Sequence, residues 1–287
     1  MTESFGARLR TAMDRFGPLC VGIDPHAALL DQWGLAQDAD GLRAFGLAVV
    51  DAAAGRAAVV KPQVAFFERF GSRGFAALED VMTAARDAGL IVLADAKRGD
   101  IGSTMAGYAA AWLEAGSPLE ADAVTISPYL GPDSLRDTLT TAVRAGKGVF
   151  VLAATSNPEA ASLQTARTID VAGGDEQTVA ARVTRDVTWA NRSSAFDGSL
   201  GPVGVVIGAT VDRSELGLGD ELLAGTPILA PGFGAQGATA QDLTARFGAV
   251  AANVLASESR SILAAGADGI AQAISTRNAR YQEVLRD

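Results

Sequence analysis

The feature that most restricts this chain is a recurrence of short apolar runs, each bounded by turn residues and followed by a stretch with helical spacing. Runs near 19–24, 57–61, 90–95, 122–127, 148–154, 203–208, 227–230 and 249–254 read as strands. They are close to continuous in apolar character, as strands covered on both faces are. A helix between successive strands makes the strands parallel. Eight such units predict a closed (β/α)8 barrel, with an open doubly wound sheet as the alternative. A length of 287 residues and 48% hydrophobic content suit such a barrel as one domain spanning 1–287. No charge run, low-complexity stretch or proline-rich linker marks a boundary. One connection, 155–177, is long. It follows the fifth strand, contains Ser156-Asn157-Pro158 and Gly173-Gly174, and precedes a helical pattern from Val179 to Asn191. At the carboxyl face of a barrel, such a segment reads as a lid.

Charge and composition remove several classes. A net charge of -9 disfavours nucleic acid or an anionic membrane as the main partner. An anionic ligand then needs a local positive pocket, for which Lys61, Lys97 and Arg260 are candidates. The only cysteine, Cys20, lies in an apolar run and reads as core, which leaves neither an intrachain disulfide nor a cysteine metal site. Met1 to Arg15 mixes charged and apolar residues at helical spacing and lacks the apolar core of a secretion signal. No stretch reaches the roughly 20 apolar residues of a membrane span, so the cytoplasm is the expected location.

The chemistry concentrates in Leu93-Ala-Asp95-Ala-Lys97-Arg-Gly-Asp100-Ile101-Gly-Ser-Thr104. Alternation along a strand places Asp95 and Lys97 on one face. Asp100 follows at a glycine-containing turn that leads into a helix. Two carboxylates then bracket one ammonium at the carboxyl end of a strand, where α/β folds place ligands. An opposite-charge contact at about 4 Å is worth roughly 4 kcal/mol at an effective dielectric of 20. Upstream, Ala57-Ala58-Val59-Val60 leads to Lys61, a second strand-terminal lysine, so that lysines and aspartates can alternate in one network.

Gly232-Phe-Gly234-Ala-Gln236-Gly237 has the spacing of a dinucleotide-binding turn, with Glu258 about 20 residues on. Only about 50 residues follow it, too few for the rest of such a domain, and it falls in the seventh unit of the barrel. Barrels often bind phosphate after strands seven and eight. Backbone N–H groups of a glycine-rich turn and a helix N-terminus suit a phosphate dianion, and Arg260, after the eighth strand, can add a bidentate contact. His26, the only histidine, reads as a turn residue. Val64, Phe66 and Phe67 read as packing. No His, Cys, Asp and Glu group has metal-ligand spacing, and where Asp95 and Asp100 could hold Mg2+, Lys97 between them argues against a cation. No nucleophile elbow stands out.

The chain resembles the longer bacterial type of orotidine 5'-phosphate decarboxylase nearly end to end. The resemblance rests on Cys20-Val-Gly-Ile-Asp24-Pro-His26, Val60-Lys61-Pro-Gln-Val-Ala-Phe-Phe-Glu68 and Asp95-Ala-Lys97-Arg-Gly-Asp100-Ile101. It continues in Ile126-Ser127-Pro-Tyr-Leu-Gly131, Ala230-Pro-Gly-Phe-Gly-Ala-Gln236-Gly237 and Ser259-Arg260-Ser-Ile-Leu263. It implies cofactor-free, metal-free decarboxylation of orotidine 5'-monophosphate to UMP and CO2, the last step of de novo UMP synthesis. Lys97 is then the proton donor to C6, with Asp95, Asp100 and Lys61 in the catalytic network. By the same resemblance Asp24 and Lys61 hold the ribose hydroxyls, Ser127 contacts the pyrimidine, and Gln236, Ser259 and Arg260 contact the phosphate. Asp100, Ile101 and Thr104 enter the site of a partner subunit, which implies a homodimer with shared active sites. Two rivals are a Mg2+-dependent phospho-sugar decarboxylase or isomerase on the same barrel, and a non-catalytic nucleotide-binding barrel.

Overall fold

The computed structural model describes residues 3–168, 176–192 and 199–286. Eight parallel strands close on themselves: β1 Leu19–Ile23, β2 Val59–Pro62, β3 Ile91–Arg98, β4 Ala123–Ile126, β5 Gly148–Ala154, β6 Val203–Ile207, β7 Ile228–Pro231 and β8 Val254–Glu258. Neighbours in the barrel are neighbours in sequence, and β8 pairs β1 through Leu19↔Ala256. That pairing excludes the open sheet.

The eighth strand lies later than the apolar pattern placed it. Residues Gly248–Asn253 form a 3-10 turn, and β8 begins at Val254, opposite Ile228. The run at 249–252 is apolar but mostly alanine, and short aliphatic side chains fill a turn as readily as a strand. The true strand ends in Ser257 and Glu258, whose polarity hides it from a hydrophobicity reading.

Alternation builds two layers. Cys20, Val59, Leu93, Ala123, Phe150, Val206, Leu229 and Leu255 point inward to one cluster. The helix Phe5–Phe16 closes the amino end of the barrel, adding Phe5, Leu9 and Met13 to that cluster. Outward neighbours such as Val60, Val92, Val124, Val205 and Val254 pack against the surrounding helices in a second cluster. Cys20 is inside, and burial pushes its thiol up to about 12, so it stays a neutral core group.

The segment after β5 has structure of its own. Pro158–Ala160 and Ala161–Gln164 are helical turns, and Arg167–Thr168 pairs antiparallel with Gln177–Thr178. Gln164 Oε1 accepts from the Thr155 N–H at 2.8 Å, tying this segment back to the end of β5. Residues 169–175, including Gly173-Gly174, lie outside the described residues.

Candidate active site

Two residues beyond each inward apolar position, the same face reaches the carboxyl mouth of the barrel. This rule places Lys61 above Val59, Asp95 above Leu93 and Thr125 above Ala123. These are the residues that meet. Lys61 Nζ lies 3.0 Å from Asp95 Oδ2, and Lys97 Nζ lies 2.6 Å from Asp95 Oδ1. The Thr125 hydroxyl donates to Asp95 Oδ1 at 2.9 Å and accepts the Lys97 N–H at 2.9 Å. Sequence reasoning missed Thr125. It belongs to the adjacent strand, and only the inward position two residues past Ala123 marks it.

Simple alternation does not by itself bring Lys97 to Asp95. The pairing of β3 with β4 shifts between Ala94 and Arg98, and Lys97 has φ +49. It is the one non-glycine residue in the left-handed region among the described residues. Such a conformation costs on the order of 1–3 kcal/mol and persists where its surroundings hold it. Here the Thr125 hydroxyl and the Asp95 carboxylate supply that hold.

The electrostatics follow from burial and pairing. Lys61 is buried, which opposes its charge. Asp95 and then Asp24 outweigh that cost and hold the ammonium above the ordinary lysine range. Asp95 is buried as well, yet Lys61 and Lys97 hold its carboxyl well below the usual carboxylate range. Both charges are therefore fixed across the physiological range. At the next position, one Asp24 oxygen accepts from the Ser259 hydroxyl at 2.5 Å, while Oδ1 is buried without a hydrogen-bond partner among the described residues. A buried carboxylate oxygen left bare is a place for a donor from a ligand.

A cavity of about 450 Å3 opens over this network. Its lining includes Asp24, Lys61, Asp95 and Lys97 of the charged network, Thr155, Ser156 and Asn157 after β5, and Phe66 and Gln236. Its size is that of a small-molecule site. Phe66, expected only to pack, faces this cavity, whereas Val64 and Phe67 are core. A larger cavity, about 870 Å3, lies behind the turn at Gly234 and touches none of the charged network.

The other expected site residues fall in three places. Gln236 reaches the cavity, from a turn in which Gly232, Gly234 and Gly237 all have positive φ. The N–H groups of Gly234, Gly237 and Ala238 bond inside that turn. The following helix, Ala240–Phe247, has its N-terminus filled by a capping box between Thr239 and Asp242. The Asp242 carboxylate thus sits at that helix N-terminus, accepting from the Thr239 N–H and hydroxyl. Arg260 is exposed and begins the turn Arg260–Leu263 directly after β8. Ser127 directly follows β4 with its N–H on the Arg98 carbonyl, outside the cavity lining.

Asp100 is not beside Lys97. Its Oδ1 accepts the Ile101 N–H at 2.8 Å, and Ile101 is 60% exposed, with Thr104 exposed as well. The bracket of two carboxylates around Lys97 is thus not formed within one chain: Lys97 pairs with Asp95, and half-buried Asp100 bonds within its own turn. His26 starts the helix Ala27–Gln32 and lies outside the cavity lining, as a turn residue would. Among the described residues no three His, Cys, Asp or Glu side chains group as metal ligands, and no helix is long and apolar enough to cross a membrane.

Fold and site together define a (β/α)8 barrel carrying a lysine–aspartate–lysine cluster at the carboxyl ends of its strands. Comparison with known proteins gives the family. Residues 17–273 match the model of the orotidine 5'-phosphate decarboxylase / HUMPS family, and the chain belongs to it. It is 53% identical over 270 residues to an orotidine 5'-phosphate decarboxylase of Salinispora tropica, covering 94% of this chain and 93% of the relative. The namesake of Streptomyces coelicolor is 52% identical over 267 residues, 93% of this chain and 92% of its own length. A crystal structure from Streptomyces avermitilis, described as the same enzyme, superposes with a TM-score of 0.89 at 46% identity, covering 100% of this chain and 97% of that one.

Proposed function

We propose that Lys97 delivers the proton that replaces CO2 when this enzyme converts orotidine 5'-monophosphate to UMP, in UMP synthesis. The carbon–carbon bond at C6 breaks, CO2 leaves, and the electron pair stays on C6. Lys97 gives one N–H proton to that carbon and recovers it from solvent, to which its side chain is 44% exposed. An ammonium already held in place stabilises charge as it develops on C6.

The observation that carries this reading is the state of Asp95. Both of its oxygens are engaged, by Lys61 on one side and by Lys97 and Thr125 on the other. Its charge therefore cannot swing away from an incoming carboxylate, and it holds Lys97 in place. The same engagement disfavours the Mg2+-dependent rival, since both Asp95 oxygens already face ammonium groups. Relatives about half identical over nearly their whole length bear the name of the nucleotide enzyme, which supports the same choice.

The substrate then lies with its ribose at Asp24 and Lys61, where the bare Asp24 oxygen accepts a hydroxyl. Its phosphate lies toward Gln236 and Arg260, and Ser259, with its hydroxyl on Asp24, joins the two ends. Ser127 approaches the pyrimidine from the end of β4. The segment 155–177 serves as the lid, supported by Thr155, Ser156 and Asn157 in the cavity wall. A homodimer accounts for half-buried Asp100 and exposed Ile101 and Thr104, which would complete a neighbour's site; Ile101, Tyr129 and Leu130, 60%, 79% and 54% exposed, are apolar surface that such a partner would cover. A phosphorylated substrate that cannot diffuse through a bilayer fits a cytoplasmic location.

Loss of the orotidylate absorbance band on adding purified, chelator-treated protein tests the activity. Turnover that needs added Mg2+ would favour the phospho-sugar branch. UMP binding without turnover would favour a nucleotide-binding barrel.

A further inference from the structure

Behind the glycine-rich turn lies a buried polar group outside the substrate cavity. Glu258, the last residue of β8, is 1% exposed and points out of the barrel. Its Oε1 accepts from the Tyr281 hydroxyl at 2.6 Å, and its Oε2 accepts from the Ser261 hydroxyl, with the Arg277 guanidinium at 3.6 Å. Burial, then the Glu258 charge, push the Tyr281 phenol far up, so it remains a donor. The Tyr281 ring in turn meets Phe233 edge-on, with centroids 5.5 Å apart. A Cβ at Gly234 would stand 2.4 Å from Glu258 Oε2 and 2.4 Å from Ser261 Oγ. The backbone of the turn therefore rests directly on this group.

Two segments meet here. The turn Gly232–Gly237 lies on the Glu258–Ser261–Tyr281 cluster from above. Ser259 and Arg260 follow Glu258 directly in the chain. We infer that Glu258 and Tyr281 are positioning residues for phosphate binding, which fix the spacing between the glycine turn and Arg260 from behind. Neither residue lines the substrate cavity, so neither is catalytic. The inference rests on the reading above that the Gln236–Arg260 end takes the phosphate. Tyr281 lies in the helix Gly266–Val284, near the end of the chain. A helix with no substrate contact of its own would thus set affinity for the phosphorylated end of the ligand.

The test is Tyr281→Phe, which keeps the ring on Phe233 and removes the hydroxyl donated to Glu258. Kinetics with orotidine 5'-monophosphate and calorimetric titration with UMP and with uridine are compared to wild type. KM and the UMP dissociation constant should each rise, by at most about tenfold, because the bond to Glu258 is made in free and bound enzyme alike and only its hold on the spacing of the phosphate end reaches the ligand. The uridine dissociation constant and kcat should each stay within about twofold, as for a loss of uniform binding. Equal weakening of UMP and uridine, or a fall in thermal midpoint with no change in their ratio, overturns the inference and leaves a purely structural role. Should Tyr281→Phe fail to fold, Ser261→Ala removes the other hydroxyl on Glu258, under Gly234, and is read in the same way. Arg260→Ala, measured alongside, separates the two levels. If it too leaves the UMP-to-uridine ratio unchanged, the phosphate assignment fails and the inference falls with it. If Arg260→Ala collapses the ratio and Tyr281→Phe does not, the inference alone is wrong.

Discussion

Replacing Asp95 with asparagine removes one negative charge from between two ammonium groups while keeping the shape. The Lys61 contact decides the magnitude. At 3.0 Å and an effective dielectric of about 20, the Coulomb attraction is about 5.5 kcal/mol. Lys61 is buried and cannot turn to water. The asparagine oxygen still accepts one hydrogen bond, and Asp24 still faces Lys61, so part of the loss is recovered. Lys97 is 44% exposed and adds at most about 1 kcal/mol. Breaking a buried pair costs about 3–5 kcal/mol, and the lower end, about 3 kcal/mol, is expected here. Urea unfolding at fixed protein concentration, followed by tryptophan fluorescence, measures it.

The pH dependence checks the cause. The folded-state pKa of Asp95 is depressed, so its contribution is complete above the unfolded value of about 3.9 and is lost as pH falls through the folded value. The Lys61 pKa is raised, so its share is complete below the unfolded value of about 10.4 and is lost as pH climbs through the folded one. The gap between wild type and variant should therefore be flat from about pH 5 to pH 9. A gap below about 1 kcal/mol at neutral pH, or one that closes between pH 7 and pH 5, would refute the ion-pair account.

Lys97→Ala should abolish single-turnover decarboxylation while calorimetry still detects UMP binding; turnover within about tenfold of wild type would remove Lys97 as proton donor. Arg260→Ala should weaken UMP by about 1.5–3 kcal/mol and hardly change uridine binding, and equal losses for both would refute the phosphate assignment. Lys97→Ala and Asp100→Ala, each inactive alone, should regain about a quarter of wild-type activity when mixed under subunit exchange, because half of randomly formed dimers carry one intact site. Exchange without recovery would place Asp100 in its own chain's site.

The barrel was legible in the sequence because alternation and helical spacing are local. Each apolar run signals its strand without reference to any other residue, and seven of the eight runs overlap their strands closely. The run at 249–254 failed because its signal was alanine content, while the strand itself ends in the polar pair Ser257 and Glu258. The motif Asp95-Ala-Lys97 was legible for the same local reason, and so were Lys61 at a strand end and Arg260 after the last strand.

What only the tertiary structure decided are contacts between residues far apart in the chain. Thr125 reaches Asp95 from the next strand. The bulge that turns Lys97 back is set by β4, and the turn after it leaves Asp100 bonded to the Ile101 N–H rather than paired with Lys97. Ser259 reaches Asp24 across 235 residues because β8 closes onto β1. Tyr281 finds Glu258 because the helix Gly266–Val284 packs over β8 and the turn after β7. Sequence patterning specifies which face of an element is buried. Which side chains meet at the mouth of a barrel depends on strand register and closure, and no single segment encodes those.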